Sequence, residues 1–241
     1  MNMTSASRAE APTRAAAARR VLVWDAPVRV FHWLMVLTFA GAYLTAESER
    51  WRLAHVTLGY TLAGLVAFRI LWGLVGTRHA RFASFVRGPG AIARYLGSLL
   101  RGRPEHHSGH NPAGALAIVA LVLLALVVSA SGWATYQDIG GHWLEEAHEA
   151  AASLMLAVVG VHVAGVVVGS WLHRENLVRA MVTGRKAANP QDAIRSAWRS
   201  VAALMLVAVI GFWGLQWQGA PAVGGVAEQS VATAPHHDDD D

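Results

Sequence analysis

Apolar and polar positions along this chain fall into long blocks, not into the short alternations of soluble helices and strands. Five apolar stretches, near residues 28–46, 53–75, 113–133, 147–172 and 197–217, stand between polar connections. A hydrocarbon core about 30 Å thick takes about 20 helical residues to cross, so the pattern predicts five transmembrane helices. Glycines punctuate these runs at Gly41, Gly59, Gly64, Gly114, Gly160, Gly165 and Gly169. In a soluble helix each would cost up to about 1 kcal/mol. In a membrane bundle they let neighbouring helices, or a flat cofactor, come close, and helix packing is the expected use of most of them. A shorter amphipathic run at 91–100, with Arg94 and Tyr95, follows a Gly-Pro-Gly turn at 88–90 and predicts a helix lying on the membrane surface.

Charge between the blocks orients them. The connection over 78–103 holds Arg78, Arg81, Arg87, Arg94, Arg101 and Arg103 and no acid, and Arg174, Arg179, Arg185 and Lys186 follow the fourth block. The connection over 135–146 holds Asp138, Glu145 and Glu146 with no lysine or arginine. Beyond Arg199 there is no basic lysine or arginine, and the chain ends in four aspartates. By the positive-inside rule the N-terminus and the long arginine-rich connection face the cytoplasm and the C-terminus falls outside. Residues 1–20 are expected to be a disordered tail leading into an uncleaved first helix, because the apolar stretch is too long for a signal-peptide core and lacks a small-residue cleavage site beyond it.

Composition agrees with this picture and removes alternatives. Hydrophobic residues make up 54% of the chain and charged residues 15%, against about a quarter charged in soluble domains. The net charge of +4 does not imply nucleic-acid binding, because the arginines cluster between apolar blocks instead of forming one face. Cysteine is absent, which excludes disulfides, iron–sulfur clusters and the thioether attachment of c-type haem.

Of twelve histidines, four fall inside apolar blocks: His32 in the first, His55 in the second, His148 and His162 in the fourth. Ionisable groups at membrane depth are expensive and usually line a site. His148 and His162 are 14 residues apart, which returns to within about 40° of one helix face with an axial rise of about 21 Å. One helix thus offers two imidazoles at two depths. Chain direction places His55 at the level of His148 and His32 at the level of His162, so depth alone predicts the pairs His55/His148 and His32/His162. Two axial imidazoles per iron predict two low-spin b haems held without covalent attachment, suited to one-electron transfer. Arg29 and Arg69 are placed to meet haem propionates near the inner surface, with snorkelling to the interface as the alternative. Zinc, which wants four ligands about one point, is disfavoured by the two layers. His106, His107 and His110 read as solvated loop residues. His142 faces the outer side, and His236 and His237 belong to an acidic tail.

Several local motifs carry a family resemblance. VWDAPVRVFHW at 23–33, FRILWGLVGTRHARF at 68–82, GHNPAG at 109–114 and RENLVRAM at 174–181 resemble the bacterial cytochrome b561 and nickel-hydrogenase cytochrome b subunit family over about residues 21–186. The resemblance implies a four-helix di-haem core and gives His32, His55, His148 and His162 the role of axial ligands. The expected organisation is an all-α integral membrane protein: a tail (1–20), a di-haem domain (21–186), a linker with a fifth, histidine-free helix (187–218) and an acidic periplasmic tail (219–241). The fifth helix is expected to pack outside the haem bundle or to dock a partner. The resemblance also implies quinone as a reactant, with the inner surface near His110 and Asn111 as its place. The leading functional expectation is electron transfer between the quinone pool and a periplasmic redox partner, such as a c-type cytochrome or a hydrogenase-like complex. A superoxide:quinone oxidoreductase is the second reading, weakened by the acidic outer connections although Arg50 and Arg52 lie beside His55. A non-redox membrane scaffold or metal transporter is the third.

Overall fold

The computed structural model describes residues 19–86, 88–101 and 109–219. The two terminal tails, with His236 and His237, and the loop residues Arg87, Arg103, His106 and His107 lie outside the described residues. In chain order the elements are β1 (Arg19–Leu22), α1 (Ala26–Thr45), α2 (Arg52–Val75), a short α3 (Phe82–Phe85), α4 (Pro89–Leu100), α5 (Pro112–Tyr136), α6 (His142–Leu172), α7 (Leu177–Thr183), β2 (Arg185–Ala188) and α8 (Arg199–Gln218).

Five of these helices, α1, α2, α5, α6 and α8, are long and apolar enough to cross a membrane. Their starts follow from capping. Asp25 accepts the Val28 amide at 2.8 Å before the Pro27 turn of α1, and Asn111 accepts the Gly114 amide at 2.7 Å before α5. Such caps satisfy amide groups that the first helical turn leaves without partners. Helix α6 begins at His142, five residues before the apolar stretch, because the acidic residues Glu145 and Glu146 continue the helix beyond the apolar block. Outward-facing side chains are apolar, with Leu37, Leu71, Leu123, Val167, Leu204 and Val207 all exposed, as lipid requires.

The helices pack in the order α1 on α2, α2 on α5 and α5 on α6. One buried cluster joins all four: Phe39, Leu62, Val66, Ala125, Val128, Ala151 and Met155. Helix α8 lies against α1 and α2, with Met205 buried on Leu34 and Leu65 and the Trp213 indole donating to Thr61 Oγ1 at 2.9 Å. The histidine-free helix therefore extends the bundle from its α1–α2 side.

At the arginine-rich end the sequence reading had no strand, yet β1 and β2 pair antiparallel, from Arg19 opposite Ala188 to Leu22 opposite Arg185. Both strands are four residues long and lack a clear apolar alternation, so they were legible only as topology-setting charge. The Val23 and Trp24 amides both donate to the Gly184 carbonyl, and the Ala26 amide donates to Ala197. Gly184 adopts φ +77°, the left-handed position that ends α7, and a Cβ there would lie 2.6 Å from the Trp24 carbonyl oxygen. Helix α4, expected along the surface, packs on α5 with Tyr95 and Ser98 buried.

Candidate functional site

The four membrane-depth histidines sit in two layers separated by the buried cluster. Phe39 follows His32 by seven residues, Leu62 follows His55 by seven, and Met155 is seven from both His148 and His162. Seven residues of helix rise about 10 Å, so the cluster occupies the middle of the bundle.

In the layer at the acidic end, His55 on α2 and His148 on α6 face each other with ring centres 6.2 Å apart and planes at 80°. Two imidazoles bound to one metal at about 2 Å each would hold their ring centres about 6 Å apart. His55 Nδ1 is 2.8 Å from the Ala42 carbonyl oxygen. His148 Nδ1 is 3.0 Å from the Val128 carbonyl oxygen and 3.2 Å from Ser131 Oγ. A carbonyl accepts only, so each Nδ1 carries the proton and each Nε2 keeps its lone pair. This orienting bond is the usual companion of a metal-ligating histidine. Gly132 keeps α5 close beneath the ring, since a Cβ there would lie 2.7 Å from His148 Cε1.

The layer at the arginine-rich end holds His32 on α1 and His162 on α6. Among the described residues no ring contact comparable to that of His55 and His148 links them. His32 Nδ1 is enclosed and has no hydrogen-bond partner among the described residues. Arg29 Nη1 donates to the Val182 carbonyl at 2.6 Å, while its buried Nε has no partner among the described residues. Arg69, 3% exposed, donates to Ala80 at 3.1 Å and lies 4.6 Å over the Phe82 ring. It does not snorkel to the interface; it is buried within the end of the bundle.

These features fit a haem. Helix α6 packs closely on α5 and has no comparable packing on α1 or α2, whose histidines it faces. Close helix packing explains Gly41, where a Cβ would lie 2.8 Å from Leu58, and contributes at Gly169, 3.3 Å from Leu177. It does not explain Gly59, Gly64, Gly160 or Gly165, where a Cβ would meet nothing within 4 Å. The packing role expected of most of the singled-out glycines is therefore absent at these four.

Two groups had been passed over in the sequence. Asp25, 1% exposed, accepts from the Trp72 indole at 3.1 Å and from the Thr77 hydroxyl at 2.5 Å, besides capping α1. It ties the start of α1 to the end of α2 and so sets His32 and Arg69 relative to each other. His110, read as a solvated loop residue, is half-buried, with its ring 4.4 Å from Trp24 and 4.6 Å from Phe85. The GHNPAG motif held the signal, because Asn111 must cap α5 and so draws its neighbour into the bundle end. Asn111 spends its oxygen on that cap. His142 lies in the open at the acidic end, within 3.3 Å of Glu145 and 3.4 Å of Glu146.

Comparison with known proteins supplies the family. The model of a family described as prokaryotic cytochrome b561 matches residues 23–184. The chain is 31% identical over 146 residues to a probable Ni/Fe-hydrogenase B-type cytochrome subunit of Azotobacter vinelandii, covering 49% of this chain and 60% of that protein. To the similarly named subunit of Escherichia coli (strain K12) it is 28% identical over 142 residues, covering 48% and 60%. To that of Rhodobacter capsulatus it is 23% identical over 214 residues, covering 69% and 81%. The chain thus spans about 60% of the length of the first two of these relatives. No solved structure matches. With five membrane-crossing helices and histidines in two layers, the chain belongs to the prokaryotic cytochrome b561 family of b-type cytochromes.

Proposed function

We propose that this chain carries electrons across the bacterial inner membrane through two b haems, one held by His55 and His148 and the other by His32 and His162. The observation that carries the reading is the facing pair His55 and His148, 6.2 Å between ring centres with both Nδ1 atoms committed to backbone carbonyls. When bound, a haem held between two imidazoles would supply a one-electron couple. The chain's own part is to fix the imidazole tautomers, to hold the two layers apart with the Phe39–Met155 cluster, and to exclude water from the middle of the bundle. Arg29 and Arg69 hold carboxylates of the group at the arginine-rich end.

By the distribution of arginine the His32/His162 layer lies toward the cytoplasm and the His55/His148 layer toward the periplasm. The domain division follows the same logic: a di-haem unit over 21–186, then the linker and fifth helix over 187–218, flanked by tails at 1–20 and 219–241. Quinone is the membrane reactant and a periplasmic redox protein the other. The relatives' names point to a nickel–iron hydrogenase, while the acidic outer connections would also suit a basic c-type cytochrome. Superoxide oxidation receives less support, since Arg52 is 3.9 Å from Glu49 and Arg50 lies over Trp51 at 5.7 Å instead of forming a cationic funnel.

The test is a visible spectrum and haem assay of the purified chain, followed by reduction with a quinol. Two low-spin haems per chain are expected. A purified chain with one haem or none would overturn the assignment.

A further inference from the structure

The arginine-rich end contains a buried group of basic side chains that the axial-ligand scheme does not use. Arg69 is 3% exposed, Lys186 7% and His79 8%, and all three act on His110. His110 itself is clasped between Trp24 from the β1–α1 turn and Phe85 from α3. Gly109 lets the loop pass over His79, because a Cβ there would lie 3.0 Å from His79 Nδ1. His79 Nε2 is in turn 2.8 Å from the Asp192 carbonyl oxygen. The ring of His110 is therefore positioned from three sides, yet its buried Nδ1 has no hydrogen-bond partner among the described residues. A buried polar atom left in that state is costly, so it calls for a partner.

Burial, and then the nearby charges of Arg69 and Lys186, push the His110 imidazole down to about 3. It is therefore neutral at pH 7 and has one N–H to give. The buried acid in this neighbourhood, Asp25, already accepts from the Val28 amide, the Trp72 indole and the Thr77 hydroxyl. Neutral donor and surrounding cations together favour an anion over a neutral carbonyl. His110 immediately precedes the Asn111 cap of α5, so it stands at the arginine-rich end of the bundle, the end that carries the second histidine layer.

We propose that His110, together with Arg69, receives a propionate of the haem held by His32 and His162, as a cofactor-positioning residue. This rests on the two-haem reading above. A neutral imidazole donating to a carboxylate stabilises the charge without adding a second one, and the Trp24–Phe85 clasp keeps the donor aimed. Glutamine in place of His110 retains an N–H donor; alanine does not.

The experiment is a redox titration of the full chain in lipid nanodiscs, wild type against His110→Ala and His110→Gln, with infrared difference spectra of the carboxylate region. In His110→Ala one haem midpoint falls, because its propionate is less well stabilised and its charge opposes reduction. The other midpoint is unmoved, and a carboxylate band shifts. His110→Gln recovers part of both changes. Unmoved midpoints and bands in both variants overturn the proposal, and weakened quinol oxidation alongside them would assign His110 to a neutral carbonyl ligand instead. If His110→Ala loses haem altogether, His110→Gln decides: haem regained with the carboxylate band near its wild-type position supports the proposal, and loss of haem from both layers overturns it. A wild-type chain without two haems would sink the function itself, whereas a full wild-type spectrum with unshifted variants sinks only the role of His110.

Discussion

His55 and His148 meet across the bundle with ring centres 6.2 Å apart, and each is turned toward the other by a hydrogen bond from its far nitrogen to a backbone carbonyl. The carbonyls belong to Ala42 on α1 and Val128 on α5, so all four core helices contribute to one pair of rings. Replacing His148 by alanine should remove one of two low-spin haems and leave the other. The pyridine haemochrome stoichiometry measures this directly. Equal loss of both haems would show that the two layers are not independent.

The glycine beneath that ring gives a subtler test. A Cβ at Gly132 would press on His148 Cε1 at 2.7 Å, and the ring cannot retreat without giving up its bond to Val128. Gly132→Ala should weaken haem retention at the acidic end about tenfold, equivalent to about 1.4 kcal/mol. Haem transfer to apomyoglobin follows the loss, with the haem at the other end as internal control. An unchanged transfer rate would mean that α5 can shift to accept the methyl.

Asp25 links α1 to α2 at the arginine-rich end. Removing its carboxylate strands the Trp72 indole, the Thr77 hydroxyl and the Val28 amide in a buried place. Asp25→Ala should cost about 3 kcal/mol, in the range of a broken buried network. Asp25→Asn keeps one acceptor oxygen, enough for the Val28 amide or for the Trp72 and Thr77 donors but not for both, and should cost less than alanine. Thermal release of haem in detergent would register both as lowered midpoints, and equal midpoints for the two variants would contradict the network.

Trp213 anchors α8 to Thr61 through one indole hydrogen bond at 2.9 Å. Within a membrane such a bond contributes about 0.6–2 kcal/mol. Trp213→Phe should therefore leave the haem spectrum intact while making α8 easier to cleave by added protease. A changed spectrum would mean that the fifth helix supports the cofactor after all.

How much of this was legible beforehand depended on the length of the pattern. The five crossing helices follow from blocks long enough that composition alone decides between lipid and water, and their ends moved mainly where caps such as Asp25 and Asn111 or the charged first turn of α6 extend them. The level of each histidine also follows from chain direction and a rise of about 1.5 Å per residue. Strands of four residues carry no comparable signal, so the pairing of Arg19–Leu22 with Arg185–Ala188 had no trace in the pattern.

The sequence by itself determined the membrane class, the number of crossings and the two depths at which imidazoles occur, because periodicity and hydropathy are summed over many residues along one axis. Only the tertiary structure decided which nitrogen of His55 and of His148 is free, that Asp25 joins α1 to α2, and that the His110 ring is held between Trp24 and Phe85. Those facts depend on contacts between segments tens of residues apart, and a hydrogen bond of about 3 Å has no signature along the chain.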